Sequence, residues 1–232
     1  MGRRARELIC LFGVVFPAGV SGSAPRRLAE APTVGSCESS KLGGPRTTIK
    51  DHAVQTSVDI IGSGVDGYIT YQIKLHLAAD AESVYTIFGT EEHQMIFPPA
   101  YQCPAPFGVD VGGVNPAFFE VANSETTGFA QYDSWLTVGL TTGDGSNAMS
   151  SLGINFRSWD EDTELVSDAG TGGAVFWTDH HRAAAAVSDL DGADRTVVVA
   201  QLTLPAAPGS ATARFDTRAQ LASALLPALS LC

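Results

Sequence analysis

From Tyr68 to Leu77 the chain alternates without a break. Ile69, Tyr71, Ile73, Leu75 and Leu77 are apolar, and Thr70, Gln72, Lys74 and His76 between them are polar. A period of two puts the apolar set on one face of a β-strand and the polar set on the other. Val54–Ile61 reads as the preceding strand, and Gly62-Ser63-Gly64 with Asp66-Gly67 between the two is hairpin-loop sequence. Phe129–Thr141 carries a related signature. Ala130, Tyr132, Leu136, Val138 and Leu140 share one face, while Gln131, Asp133, Trp135 and Thr137 share the other. That pattern predicts an inner strand, covered on one side and half covered on the other.

Shorter runs at Val84–Phe88, Leu152–Trp159, Ala174–Thr178 and Thr196–Leu204 complete the predicted strands. Asp160-Glu161-Asp162, Gly170–Gly173 and Asp189–Asp194 break the chain between them. Phe97-Pro98-Pro99 through Pro104-Ala105-Pro106 lacks the amide donors of a ladder and predicts a surface connection. Asn115-Pro116 opens the short apolar run Ala117-Phe118-Phe119, and Gly143–Asn147 reverses the chain. Only His181–Val187 and Arg218–Leu226, ahead of Pro227, favour helix. Many short strands at irregular spacing predict an all-β fold: a β-sandwich, jelly-roll-like, with a short helical tail.

The two ends depart from this pattern. Arg3, Arg4 and Arg6 precede the apolar run Leu8–Phe16, and Val20-Ser21-Gly22 are small, which predicts a signal peptide over residues 1–22 with cleavage after Gly22. Pro17 and Gly19 and the short run speak against a membrane span. Residues 23–49 carry Pro25, Pro32, Gly35, Gly43, Gly44 and Pro45 with little periodicity, the composition of a disordered arm or linker. The sandwich is predicted over residues 50–216 and an apolar tail over 217–232. Two readings compete for that tail. It is either an amphipathic helix packing on the sandwich or, with small Gly209-Ser210-Ala211 and a polar spacer ahead of it, a lipid-anchor attachment signal.

Composition sharpens the compartment. The 232 residues are 44% hydrophobic and only 17% charged, with a net charge of -11, enough for one buried core and a poor match to nucleic acid. Removing residues 1–22 leaves 11 basic and 24 acidic side chains, or -13. Cys10 leaves with the signal; Cys37 and Cys103 either bridge the arm to the domain or stay free thiols, and Cys232 has no evident partner.

Four segments together carry a resemblance. Asn115-Pro116-Ala117-Phe118-Phe119, Tyr132-Asp133-Ser134-Trp135-Leu136-Thr137-Val138-Gly139, Gly173-Ala174-Val175-Phe176-Trp177 and Val198-Val199-Ala200-Gln201-Leu202-Thr203 resemble, in order and spacing, a module of uncharacterised secreted and surface proteins of marine microbes. The resemblance covers about residues 54–204. It implies an exported module and carries no established activity. Within it, Tyr132 and Trp135 supply packing area, while Asp133 and Ser134 are suited to fixing neighbouring backbone amides.

No motif assigns a catalytic residue: there is no nucleophile elbow, phosphate-cradling glycine loop or recognisable Cys and His arrangement. Asp133 with Glu120 or Asp162 is the carboxylate pairing that glycoside cleavage would use. Asp179-His180-His181 is a poor zinc site, because adjacent strand residues point opposite ways. Asp189, Asp191 and Asp194 alternate around a glycine and offer oxygens to calcium, in a structural role and without the closing bidentate Glu. No other cofactor is expected. Tyr68, Tyr101 and Trp159 are the candidate binding residues, because exposed rings stack on sugars. The expected function is a secreted or cell-surface, non-enzymatic structural or adhesive module. Its expected partner is an extracellular protein or polysaccharide. A carbohydrate-binding or carbohydrate-cleaving sandwich is the alternative.

Overall fold

The Tyr68–Leu77 alternation folds as the long strand it predicts, with Tyr71, Ile73, Leu75 and Leu77 buried. The computed structural model describes residues 6–16, 34–40, 47–48, 54–77, 81–124, 129–179, 195–206 and 211–221. Within them the strands are β1 (Arg6–Val15), β2 (Val34–Ser40), β3 (Thr47–Thr48), β4 (Val54–Gly62), β5 (Tyr68–Leu77), β6 (Ala81–Gly89) and β7 (Ile96–Phe97). They continue as β8 (Trp135–Leu136), β9 (Met149–Leu152), β10 (Leu165–Val166), β11 (Gly173–Trp177), β12 (Thr196–Pro205) and β13 (Thr212–Leu221). One short helix, α1 (Phe119–Ser124), follows a 3-10 turn over Pro116–Phe118 whose cap is Asn115.

β4, β5, β12 and β8 form one antiparallel sheet in that order. The larger sheet runs β3-β2-β1-β13-β6-β11-β9, and β7 pairs with both β13 and β10. The two sheets curl around a shared apolar core, in which Ile73, Leu75, Val199 and Leu202 meet Val84, Ile87, Phe97, Val175 and Phe215. The all-β, sandwich-like fold is therefore established. No helix among the described residues is long and apolar enough to cross a membrane.

Phe129–Thr141 departs from its predicted form. Ala130–Tyr132 is a 3-10 turn, only Trp135–Leu136 is strand, and every residue from Asp133 to Val138 is buried. Alternation fails because both faces are covered: Leu136 and Val138 pack into the main core, and Trp135 packs on the opposite side with Cys103, Val114 and Ala122, while β12 pairs along one edge and Val111 bridges Leu136 along the other. A bulge between Val198 and Ala200 shifts the β12–β5 register, and β12 is buried continuously from Val199 to Leu204.

Strand pairing reaches into both ends of the chain. β1 lies inside the span read as a signal, between β2 and β13. β2 and β3 lie inside the span read as a linker. β13 runs past residue 216 to Leu221, so the helix predicted from Arg218 does not begin there: pairing with β1 and β6 overrides local propensity. The His181–Val187 segment and residues 222–232 lie outside the described residues.

Candidate functional site

The Tyr132-Asp133-Ser134-Trp135 segment is fastened to β12 by side chains on both sides of the joint. Ser134 Oγ accepts a hydrogen bond from the Thr203 amide at 2.9 Å, and Thr203 Oγ1 donates to the Tyr132 carbonyl. Gln201 Nε2 donates to the carbonyls of Gln131 and Asp133, at 3.0 and 2.8 Å. Gln72 of β5 in turn donates to Gln201 Oε1 at 3.3 Å. These bonds replace a ladder that only two residue pairs supply. Buried polar groups must be paired, and here the pairing fixes which strand the segment meets. Ser134→Ala leaves the Thr203 amide without its acceptor, and an expected loss of about 1–3 kcal/mol is read from chemical denaturation.

Asp133 points the other way and holds a loop. Its carboxylate accepts from the amides of Cys103 at 2.7 Å and Val109 at 2.6 Å. Burial pushes its pKa up to about 7, against the opposing pull of those donors. Both ends of the 103–109 segment are thereby tied to one side chain. Trp135, Cys103, Val114, Ala122 and Ala130 form a second apolar cluster behind the loop. The Cys103 thiol is free and buried, and burial raises it to about 11, so the bridge to Cys37 considered from sequence is not formed. Cys37 stands opposite Cys10 in the β1–β2 register. Gly108 lies so close to the Cys103 carbonyl that an added Cβ would sit 2.0 Å from its oxygen. Gly108→Ala is expected to cost about 1–3 kcal/mol by forcing the loop apart, measured as a lower melting temperature.

The loop held by Asp133 is one wall of an open cleft of about 420 Å³. Pro106, Phe107 and Val109 come from that loop, Asn115 and Phe118 from the following turn, and Asp144, Gly145, Asn147 and Met149 from the opposite loop. The rings of Phe107 and Phe118 are 6.4 Å apart and inclined by 51°. Phe118 is 51% exposed, far from core burial. Asn115 Oδ1 accepts from the Ala117 amide, which leaves its NH₂ group for other partners. Asn147 adopts a positive φ of 50° at the turn.

Asp144 does not face a ligand as a free acid or base. One carboxylate oxygen accepts from the amides of Ser146 and Ala148 and from the Ser146 hydroxyl, and the other accepts from the Met149 amide at 2.7 Å. Burial works to raise its pKa, but these donors outweigh burial and hold it below the usual carboxylate range. Asp160 caps its own turn through Asp162 and Thr163, and Asp168 does so through Gly170 and Thr171. Such side-chain turns are what Asp commonly does between strands.

The residues singled out from sequence separate into four groups. Tyr68 and Tyr101 do converge, with ring centroids 6.0 Å apart at 60°, and the Tyr101 hydroxyl accepts from the Phe129 amide. Both are half-buried. Trp159 does not join them as an exposed ring: it is 3% exposed, packs near Phe97 and Phe156, and donates its indole N–H to the Pro98 carbonyl. Its size and apolar area placed it in the core. Asp189, Asp191 and Asp194 lie outside the described residues, as do His180 and His181. Among the described residues no group of three or more His, Cys, Asp or Glu side chains is placed to hold a metal ion. Asp133, the proposed partner of Glu120 or Asp162, is fully buried and presents no surface to a substrate, while those two carboxylates are exposed. Sequence reasoning missed Phe107, Phe118 and Asn147. The turn signals around them were present, but no signal indicated that the two loops face each other.

Compared with protein-family models, with curated proteins and with solved structures, the chain matches none.

Proposed function

We propose that this chain is an exported β-sandwich module with a structural or adhesive role at a cell surface or in an extracellular matrix, working by contact and not by turnover. The observation that carries this reading is the use made of its carboxylates. Asp133 accepts two backbone amides of the 103–109 loop and is shut off from solvent, while Asp144, Asp160 and Asp168 accept amides of their own turns, so the four shape loops and offer no free carboxylate pair to a substrate. Export rests on the basic residues before Leu8–Phe16 and on the low charge content with an acidic balance.

The test is expression of the full chain in a secretory host, with detection by an antibody raised against the folded domain. The protein is expected in the medium or on the cell surface, and beads coated with it are expected to retain matrix material under flow. Retention in the cytosol overturns export. Turnover of a chromogenic glycoside by the purified protein overturns the contact role.

A further inference from the structure

The cleft between the 106–118 segment and the 143–149 loop was not among the sites expected from sequence, and its chemistry is selective. We propose that it binds a neutral sugar unit, with Phe118 and Phe107 as the stacking surface and the amides of Asn115 and Asn147 as hydrogen-bonding groups. This goes beyond the structural role above, and the two stand or fall separately.

Three observations select that ligand class. First, the volume of about 420 Å³ lies within the roughly 300–1,000 Å³ of small-molecule sites. Second, Phe107 and Phe118 make one wall aromatic, Asn115 stands beside Phe118 on that wall and Asn147 comes from the opposite loop, which matches a pyranose: its C–H face stacks on a ring and its hydroxyls meet hydrogen-bonding groups at the edge. Phe118 is held out at 51% exposure, so its ring is available, and no hydrogen bond within the chain engages the Asn147 side chain among the described residues.

Third, the electrostatics exclude the charged alternatives. No Lys, Arg or His is among the lining residues, and Asp144 with the net charge of -11 repels phosphates, uronates and sulfated glycans. A cation is disfavoured as well, because the Asp144 carboxylate already accepts four hydrogen bonds from its own loop. Those bonds fix the loop before ligand arrives, so little ordering remains to oppose binding. Asp133 does the same for the opposite wall by holding Val109 and Cys103.

The experiment is calorimetric titration of the full chain with neutral hexasaccharides of β-1,3-glucan, β-1,4-glucan, mannan and xylan, and with an alginate hexamer as the anionic probe. Two variants report on the site. Phe118→Ala removes a ring that is half in solvent, and Gly145→Trp fills the cleft from a position where an added Cβ meets nothing within 4 Å. Saturable binding of at least one neutral probe is expected, weakened about tenfold or more by either variant with the melting temperature unchanged. Tyr68→Ala should leave that binding intact. No neutral probe bound, binding of alginate alone, or binding lost in Tyr68→Ala but kept in Phe118→Ala each overturns the proposal.

Discussion

At about pH 4.5, where its carboxyl carries no charge penalty, replacing Asp133 with alanine is expected to release the 103–109 loop and cost about 2–6 kcal/mol, since it orphans the buried Cys103 amide and the half-buried Val109 amide, worth roughly 1–3 kcal/mol each. That is a large part of the 5–15 kcal/mol or so that typically holds a domain together. The same residue gives the protein a pH dependence of unusual sign. Its folded pKa of about 7 stands above the ordinary value of 3.8, so between those pH values the folded chain keeps a proton that the unfolded chain has released. Stability is therefore full below about pH 4 as far as this group is concerned, and falls as pH rises through about 7. The span is on the order of 4 kcal/mol. Asp216 adds to the slope in the same direction. Burial pushes it up to about 6 while His93 pulls the other way, and one of its oxygens has no hydrogen-bond partner.

Asp133→Asn separates charge from hydrogen bonding. It keeps one oxygen acceptor and cannot ionise, so the variant should lose the Asp133 share of the slope and retain the Asp216 share. Urea unfolding at pH 4.5, 6 and 8 reads both quantities. A wild-type stability that rises across this range would reverse the sign and show Asp133 to be ionised throughout. A variant slope equal to that of the wild type would place the titration elsewhere.

What could be read from sequence was what depends on near neighbours along the chain. β5 was legible because its hairpin partner β4 precedes it directly and one face meets the core, so period-two logic applied without change. That Asp133 and Ser134 fix backbone amides followed from residue type, but which amides did not: Cys103 and Val109 lie 30 and 24 residues away, and Thr203 lies 69 away. The Phe129–Thr141 strand failed for the same reason. Alternation presumes one wet side, and here the main core takes Leu136 and Val138 while the second cluster with Cys103 and Val114 takes Trp135. The cleft was equally hidden. Asn115-Pro116 and Gly143–Asn147 were each readable as turns, yet their facing arises from the Gly143 amide donating to the Gly112 carbonyl at 3.1 Å, a contact between loops 31 positions apart.

The largest effect is expected at the N-terminus, where the apolar run that reads as an export signal in the sequence is β1 in the fold. β1 pairs with β13 from Arg6↔Leu221 to Val15↔Thr212, and with β2 from Glu7↔Ser40 to Gly13↔Val34. Beyond it Phe16 is 2% exposed, meets Tyr71 edge-on at 5.3 Å, and donates its amide to the Ala211 carbonyl. Val14 is buried too. Removing residues 1–22 therefore takes two core side chains, worth about 1.5–3 kcal/mol each by transfer alone, and leaves β13 a bare edge. The 23–232 protein should melt more than about 10 °C below the full chain, and β13 amides should lose most of their hydrogen-exchange protection. Intact mass of the exported product then ties the two roles together, because a molecule cleaved after Gly22 has no β1. If that product melts with the full chain, β1 contributes nothing to the fold and its run acts only as a signal. If it melts far lower, cleavage would expose β13 as an edge able to take a strand from another molecule, which is a direct route from export to assembly.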